Sequence, residues 1–126
     1  MAATASEGGP IQQYLRFLEG GRFMLQRSRK SGTYFFYPRI CEPGTGDQDF
    51  EWVEASGKGT VYATTVMRPR PPQSSYNVAL IDLVEGPRMM ARVEGVAPED
   101  VRIGTPVQAV IFRSDHHPYV IFTPAL

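Results

Sequence analysis

Gly57-Lys58-Gly59-Thr60-Val61-Tyr62-Ala63-Thr64-Thr65-Val66-Met67 decides the fold class of this chain. β-Branched and aromatic residues alternate along it with small ones, the period-two pattern of a half-buried strand. Its glycines permit a bend, and Glu51-Trp52-Val53-Glu54 runs into them. Residues 51–67 therefore read as one long first strand, bent to serve two sides of a barrel.

Working outward from there, Arg68-Pro69-Arg70-Pro71-Pro72-Gln73-Ser74-Ser75 is a stiff, proline-rich loop, and Tyr76 to Leu83 is the second strand. Glu85-Gly86-Pro87 makes a tight turn into a third strand, Arg88 to Glu94. Ala97 to Val101 makes one helical turn. Val107 to Phe112 is the fourth strand, Ser114 to Pro118 a turn, and Tyr119 to Phe122 the fifth. This order predicts a mainly β fold, a five-stranded OB-type Greek-key barrel. Pattern alone also fits other small β-barrels.

Residues 1–9 are small and polar. Pro10 opens a helix that runs to about Glu19 and stops at Gly20-Gly21. Ile11, Tyr14, Leu15 and Leu18 form its apolar stripe, and so short a helix needs a surface to lie on. Phe23 to Gln26 and Thr33 to Pro38 read as extended pieces, and Glu42 to Asp49 as a loop. The expected domains are 1–49, helix and ribbon, and 50–126, barrel.

With 126 residues the chain has length for one compact domain or a small barrel with an ordered extension. Eleven prolines and twelve glycines fall between short apolar runs, which favours β-structure over a helical bundle. Thirteen basic residues balance thirteen acidic ones, so net charge draws the chain toward neither nucleic acid nor membrane. Six bases between Arg16 and Arg39 precede five acids between Glu42 and Glu54, blocks expected to face each other within one fold. The lone Cys41 excludes an intramolecular disulfide and suits a reducing compartment. No run approaches the roughly 18 apolar residues of a spanning helix, so a soluble, cytoplasmic protein is expected.

Gly57 to Tyr62, Val78 to Arg88, Ala91 to Val96 and Val101 to Val107 occur in an order and spacing that resemble the acyl-CoA-associated OB-fold family. The resemblance extends from about Pro10 to Pro124. Members join an N-terminal helix, a rubredoxin-like zinc ribbon and an OB-fold. They accompany thiolases, thiolase-like aldolases or hydratases that act on CoA thioesters. The resemblance implies a non-catalytic accessory subunit in a hetero-oligomer, with an enzyme subunit as partner and acyl-CoA as a possible ligand.

The family's ribbon ordinarily carries two Cys-x-x-Cys knuckles. Their counterparts here are Ser28 and Ser31, then Cys41 and Gly44. A tetrahedral zinc site needs four thiolate or imidazole donors, so the ribbon is expected to hold no zinc and to rely on packing. Tyr34, Phe35, Phe36 and Tyr37 supply it, alternating between two faces. Both faces packing within the chain is one reading; an aromatic docking surface for a partner is the other.

Arg68 and Arg70, presented on a proline-stiffened backbone, suit the phosphates of CoA, or else form a solvated connector. Met89-Met90 sends one methionine inward and one outward. Met89 is the candidate contact to an acyl chain or partner, against a core role for both. Asp115-His116-His117 lies in a predicted turn and reads as solvated unless a partner completes a site. No catalytic residue is expected. An OB barrel can instead bind single-stranded nucleic acid, but that calls for a basic, aromatic-lined groove.

Overall fold

The computed structural model describes residues 9–39, 46, 48–113 and 117–125. They form two compact units. One holds the described residues up to Ser56 with Glu85–Pro87 and Ile111–Tyr119; the other holds Gly57–Val84, Arg88–Val110 and the described residues from Val120.

The first unit begins with helix α1, Pro10–Glu19. Proline at the first helical position lacks an N–H that would have no partner there, and Gln12 Oε1 accepts the Gly9 N–H at 3.2 Å. The helix closes in a Schellman motif. Arg22 N–H donates to Phe17 C=O and Gly21 N–H to Leu18 C=O, both at 2.9 Å, with Gly21 at φ 82°. The buried stripe differs from the expected one. Ile11 is 61% exposed, whereas Phe17 packs its ring 5.4 Å from that of Trp52, and Tyr14 sets its edge against Phe36 at 5.8 Å. The aromatic partners on the sheet, rather than the count of apolar residues, set the rotation of the helix.

Three strands follow: β1, Met24–Ser28; β2, Tyr34–Phe35; and β3, Phe50–Glu54. They form an antiparallel sheet in the order β2-β1-β3. This corrects the reading of residues 51–67 as one bent strand. Residues 50–54 pair with β1, from Met24 opposite Glu54 to Ser28 opposite Phe50, and the barrel's first strand starts at Lys58. Trp52 prefers the aromatic cover of α1, and Gly57, at φ 79°, separates the two strands.

The oppositely charged blocks meet on this sheet. Arg27 reaches Glu51 at 2.8 Å, Arg29 reaches Asp49 at 2.6 Å, and Arg22 lies 3.7 Å from Glu54. All these side chains keep substantial exposure, so each pair contributes at most about 1 kcal/mol. Gln26, buried in β1, does more local work. Its Nε2 donates to Arg39 C=O at 2.9 Å and its Oε1 accepts Arg39 N–H at 2.6 Å, tying down the chain that leaves β2.

The second unit is built on β4, Lys58–Met67; β5, Tyr76–Leu83; β6, Arg88–Ala91; β7, Pro106–Phe112; and β8, Tyr119–Pro124. Their order is β6-β5-β4-β7-β8. A parallel bridge between Val93 and Phe122 joins the two ends, with Phe122 N–H donating to Arg92 C=O at 2.9 Å and Glu94 N–H to Phe122 C=O at 2.8 Å. That closure, with a 3₁₀ turn at Pro98–Asp100 between the third and fourth barrel strands, makes the OB-type barrel expected from the pattern.

Inward residues alternate along β5: Asn77, Ala79, Ile81 and Leu83 are buried, and they meet Val61, Met89, Val107 and Phe122 in the core. A bulge between Val61 and Ala63 turns β4 so that both halves can stay paired with β5. Gly59 lies so close to β5 that a Cβ there would sit 2.9 Å from the Asp82 carbonyl oxygen and 2.7 Å from Ile81 Cγ2. Asn77 is the one buried polar side chain among the described residues of the barrel. Beyond Ala91 the third barrel strand leaves β5, and the Asn77 amide fills the gap. Its Nδ2 donates to Val93 C=O at 2.6 Å and its Oδ1 accepts Val93 N–H at 3.0 Å.

Candidate functional site

The aromatic run does not stand free. The Phe35 ring lies 5.8 Å from that of Phe50 and carries the Arg39 guanidinium 5.8 Å above it. Arg27 covers Tyr34 at 5.7 Å. Phe36 contacts Tyr14, Phe23 and Tyr37, at 5.8, 6.3 and 4.7 Å. Only Tyr37 of the four keeps more than half its surface exposed, at 53%. Burial pushes the Tyr14 phenol well above the usual tyrosine range. Three of the aromatics are thus half-buried within the first unit, and Tyr37 remains exposed.

At the turn after β1, Ser28 is fully buried and its Oγ accepts Ser31 N–H at 3.2 Å, while Ser31 Oγ accepts Thr33 N–H at 3.2 Å. These hydroxyls are engaged in holding the turn and are poor zinc donors at neutral pH, so the residues present do not fit a structural zinc. Cys41, Gly44, Asp115 and His116 lie outside the described residues. His117 places Nδ1 3.1 Å from the Pro118 carbonyl oxygen.

On the barrel, the loop after β4 carries Arg68 and Arg70 into solvent. Arg68 lies 4.0 Å from Glu99, a weak pair with both side chains mostly exposed. Arg70 has no ion pair among the described residues. Beside this loop lies a cavity of about 500 Å³ lined by Gln73, Ser74, Ser75, Tyr76, Arg92 and Glu94, with Pro69 at its edge. The Arg92 guanidinium stacks 4.0 Å from the Tyr76 ring centroid.

Met89 requires a correction. It is 2% exposed and faces the core opposite Ile81, where no partner or acyl chain can touch it at the surface. Met90 is the outward methionine, 58% exposed, and with Ala63, Thr65, Val78 and Leu80 it lines a shallow apolar cavity of about 200 Å³. At the far end of that face Arg88 stacks 3.4 Å from the Tyr62 centroid and donates Nε–H to Asp82 at 2.6 Å. The hydrogen bond to Asp82 raises the Arg88 pKa further.

Sequence reasoning missed Tyr76, Arg92 and Glu94 as neighbours of the arginine loop. Counting outward from the turn at residues 84–87 pairs Asp82 with Arg88 and Ala79 with Ala91. The same count would set Arg92 diagonal to Tyr76 on the outer face, within reach of long side chains.

A family model described as the ChsH2 C-terminal OB-fold domain matches residues 52–112. A DUF35 domain-containing scaffold protein of Pyrococcus furiosus is 31% identical over 110 residues, 82% of this chain and 80% of that protein. The chain belongs to the DUF35 family of acyl-CoA-associated OB-fold proteins. A DUF35 domain-containing scaffold protein of Methanocaldococcus jannaschii is 38% identical over 92 residues, 69% of this chain and 65% of the relative. A probable enoyl-CoA hydratase alpha subunit of Thermomonospora curvata is 38% identical over 89 residues, 68% of this chain but 28% of the larger protein.

Among solved structures, a chain of an Ltp2-ChsH2(DUF35) aldolase superposes with a TM-score of 0.83 at 30% identity, covering 96% of this DUF35 chain and 98% of its own. A DUF35 protein from Sulfolobus solfataricus shares the fold at a TM-score of 0.69 and 17% identity. No helix among the described residues is long and apolar enough to cross a membrane.

Proposed function

We propose that this DUF35 chain is a non-catalytic accessory subunit that binds and supports a thiolase-like, aldolase or hydratase enzyme acting on acyl-CoA thioesters in the cytoplasm. The observation that carries this reading is the near full-length likeness to the DUF35 chain of the Ltp2-ChsH2 aldolase. The hydratase alpha subunit among the sequence relatives points the same way. Tyr37, the aromatic left exposed when Tyr34, Phe35 and Phe36 pack inward, is the anchor assigned to the partner. In this reading the ribbon-like turn dispenses with zinc, because hydroxyls at Ser28 and Ser31 hold it.

The test is a tagged full-length chain used as bait in its native cells. A stoichiometric enzyme subunit should co-purify, and its turnover of an acyl-CoA thioester should collapse when this chain is withheld. A partner that is fully soluble and active alone would refute the proposal. Tyr37→Ala should weaken the complex while leaving the fold of the isolated chain intact.

A further inference from the structure

The outer face of the barrel's first three strands is apolar at its centre and charged at both ends. Leu80 stands opposite Met90 on β6 and opposite Ala63 on β4, and Val78 stands opposite Thr65. Together they line the shallow cavity of about 200 Å³. Met90 is exposed, and so are Tyr62 and Met67 at the rim of the same face. The core has no use for these side chains, because Ala79, Ile81 and Met89 fill it from the opposite faces of the same strands. An apolar centre with a charged rim is the pattern of a protein–protein contact.

The charges decide the occupant. At one end Arg88 donates to Asp82 at 2.6 Å and stacks 3.4 Å from the Tyr62 centroid. At the other end Arg92 stacks on Tyr76, and Glu94 follows it on the same face, with the buried Val93 turned inward between them. Neither Arg92 nor Glu94 makes an ion pair among the described residues. Each end therefore holds one cation and one carboxylate, and a partner of either sign gains at one group what it loses at the next. A face of this kind complements a second copy of itself turned end for end. From the Leu80–Met90 pair, Asp82 and Arg88 lie two residues to one side and Arg92 two to the other, each about 7 Å away. A two-fold axis lying between two such sheets, at right angles to the strands, sets each strand over its own counterpart and reverses its direction. It brings Met90 and Leu80 to the centre and lays the Arg92–Glu94 end over the Arg88–Asp82 end of the second copy.

We infer that the outer face of β4, β5 and β6 is a two-fold contact between copies of this chain, with Met90, Leu80 and Val78 at its centre and Arg92 of each copy on Asp82 of the other. Glu94 faces Arg88 at the same place. Sheets packed face to face lie about 10 Å apart, a gap that arginines span and that leucine, valine and methionine fill. Three strands about 4.8 Å apart, each about five residues long, give a small face, which puts the contact at the weak end of protein interfaces. The dimer is therefore concentration-dependent, with a dissociation constant of micromolar order. The inference does not depend on the accessory-subunit reading. Where both hold, one pair of these chains joins two enzyme subunits.

Sedimentation equilibrium of the purified full-length chain, from low micromolar to several hundred micromolar, tests this. The average mass should rise from that of one chain toward that of two. Met90→Asp should weaken association by about tenfold or more, with unchanged far-UV circular dichroism. Asp82→Arg alone and Arg92→Asp alone each set like charges against each other at both ends of the contact, so each should stay monomeric over the same range. An equimolar mixture of these two variants restores an attractive pair at both ends, and it should associate as the wild type does. Recovery on mixing is a result that a role confined within one chain cannot produce. A wild-type chain that stays monomeric throughout, a Met90→Asp variant that associates normally, or folded charge variants that stay monomeric when mixed would each overturn the assignment. So would a monomeric wild type whose enzyme partner is lost on Met90→Asp, since the face would then belong to that partner.

Discussion

Replacing Asn77 by alanine should open the barrel at the place where its third strand leaves the second. Asn77 is 2% exposed, and its amide makes both hydrogen bonds of Val93, at 2.6 and 3.0 Å. Neither Val93 group has another use in the parallel bridge, because that bridge employs Arg92 C=O and Glu94 N–H toward Phe122. The variant therefore orphans one buried donor and one buried acceptor. At about 1–3 kcal/mol for each unsatisfied group, the loss should be about 2–6 kcal/mol, a large share of a small domain's total.

Urea titration followed by far-UV circular dichroism measures the loss, and hydrogen exchange at the Val93 amide localises it. A second variant separates geometry from chemistry. Asn77→Asp keeps the acceptor for Val93 N–H but sets a carboxylate against Val93 C=O. At neutral pH it should be at least as unstable as the alanine variant. It should recover stability as the pH falls and the carboxyl gains a proton, since the folded state then binds that proton more tightly than the unfolded chain does. A loss below about 0.5 kcal/mol for Asn77→Ala, with Val93 exchange unchanged, would refute the reasoning.

Gly59→Ala should cost about 1–3 kcal/mol in urea titration, because its Cβ meets the Asp82 backbone at 2.9 Å and backbone yields less easily than a side chain. The raised Tyr14 pKa makes stability fall as pH rises above about 10, where the unfolded chain loses a proton that the folded one keeps. Tyr14→Phe should shed that part of the alkaline slope in a pH series of thermal melts. A double-mutant cycle on Arg27 and Glu51 should return no more than about 1 kcal/mol, and less at high salt. Elemental analysis of the purified chain should find zinc far below one equivalent; a stoichiometric zinc would overturn the reading of the Ser28 turn.

The barrel was legible because alternation is a local property. Thr60 to Met67 and Tyr76 to Leu83 carry their inside and outside in the residue order, and the pairing of β4 with β5 follows from it. Residues 50–54 were misjudged because alternation identifies a strand without naming its neighbour. Phe50–Glu54 reads equally well as the start of β4, and only its pairing with β1 and the cover of Trp52 by Phe17 decide otherwise. Met89 and Met90 pose the same difficulty in miniature. Parity requires one to face inward, but which one depends on Met89 falling opposite Ile81.

Gln26 and Asn77 were invisible as clamps for a related reason. Each acts where a neighbouring chain departs from the ladder, and that place is a property of the assembled sheet. Arg92 and Tyr76 lie on successive strands, so their stack needed the register of the hairpin before it could be seen. Arg68 and Arg70 were found from the loop alone, and the cavity beside it was not.

Trp52 is the chain's sole tryptophan, and it sits in the first unit with Phe17 against its ring and its Nε1–H donating to Gln13 Oε1 at 2.9 Å. The barrel strands carry tyrosines, Tyr62, Tyr76 and Tyr119, but no indole. Fluorescence excited at the red edge is therefore a private channel for the seating of the helix, whereas the circular dichroism of the β-strands is weighted toward the barrel. A denaturation curve recorded through both channels reports on cooperativity without any label. Coincident transitions would mean that helix, small sheet and barrel melt as one body, and a red shift preceding the loss of strand signal would mean that the helix lifts first.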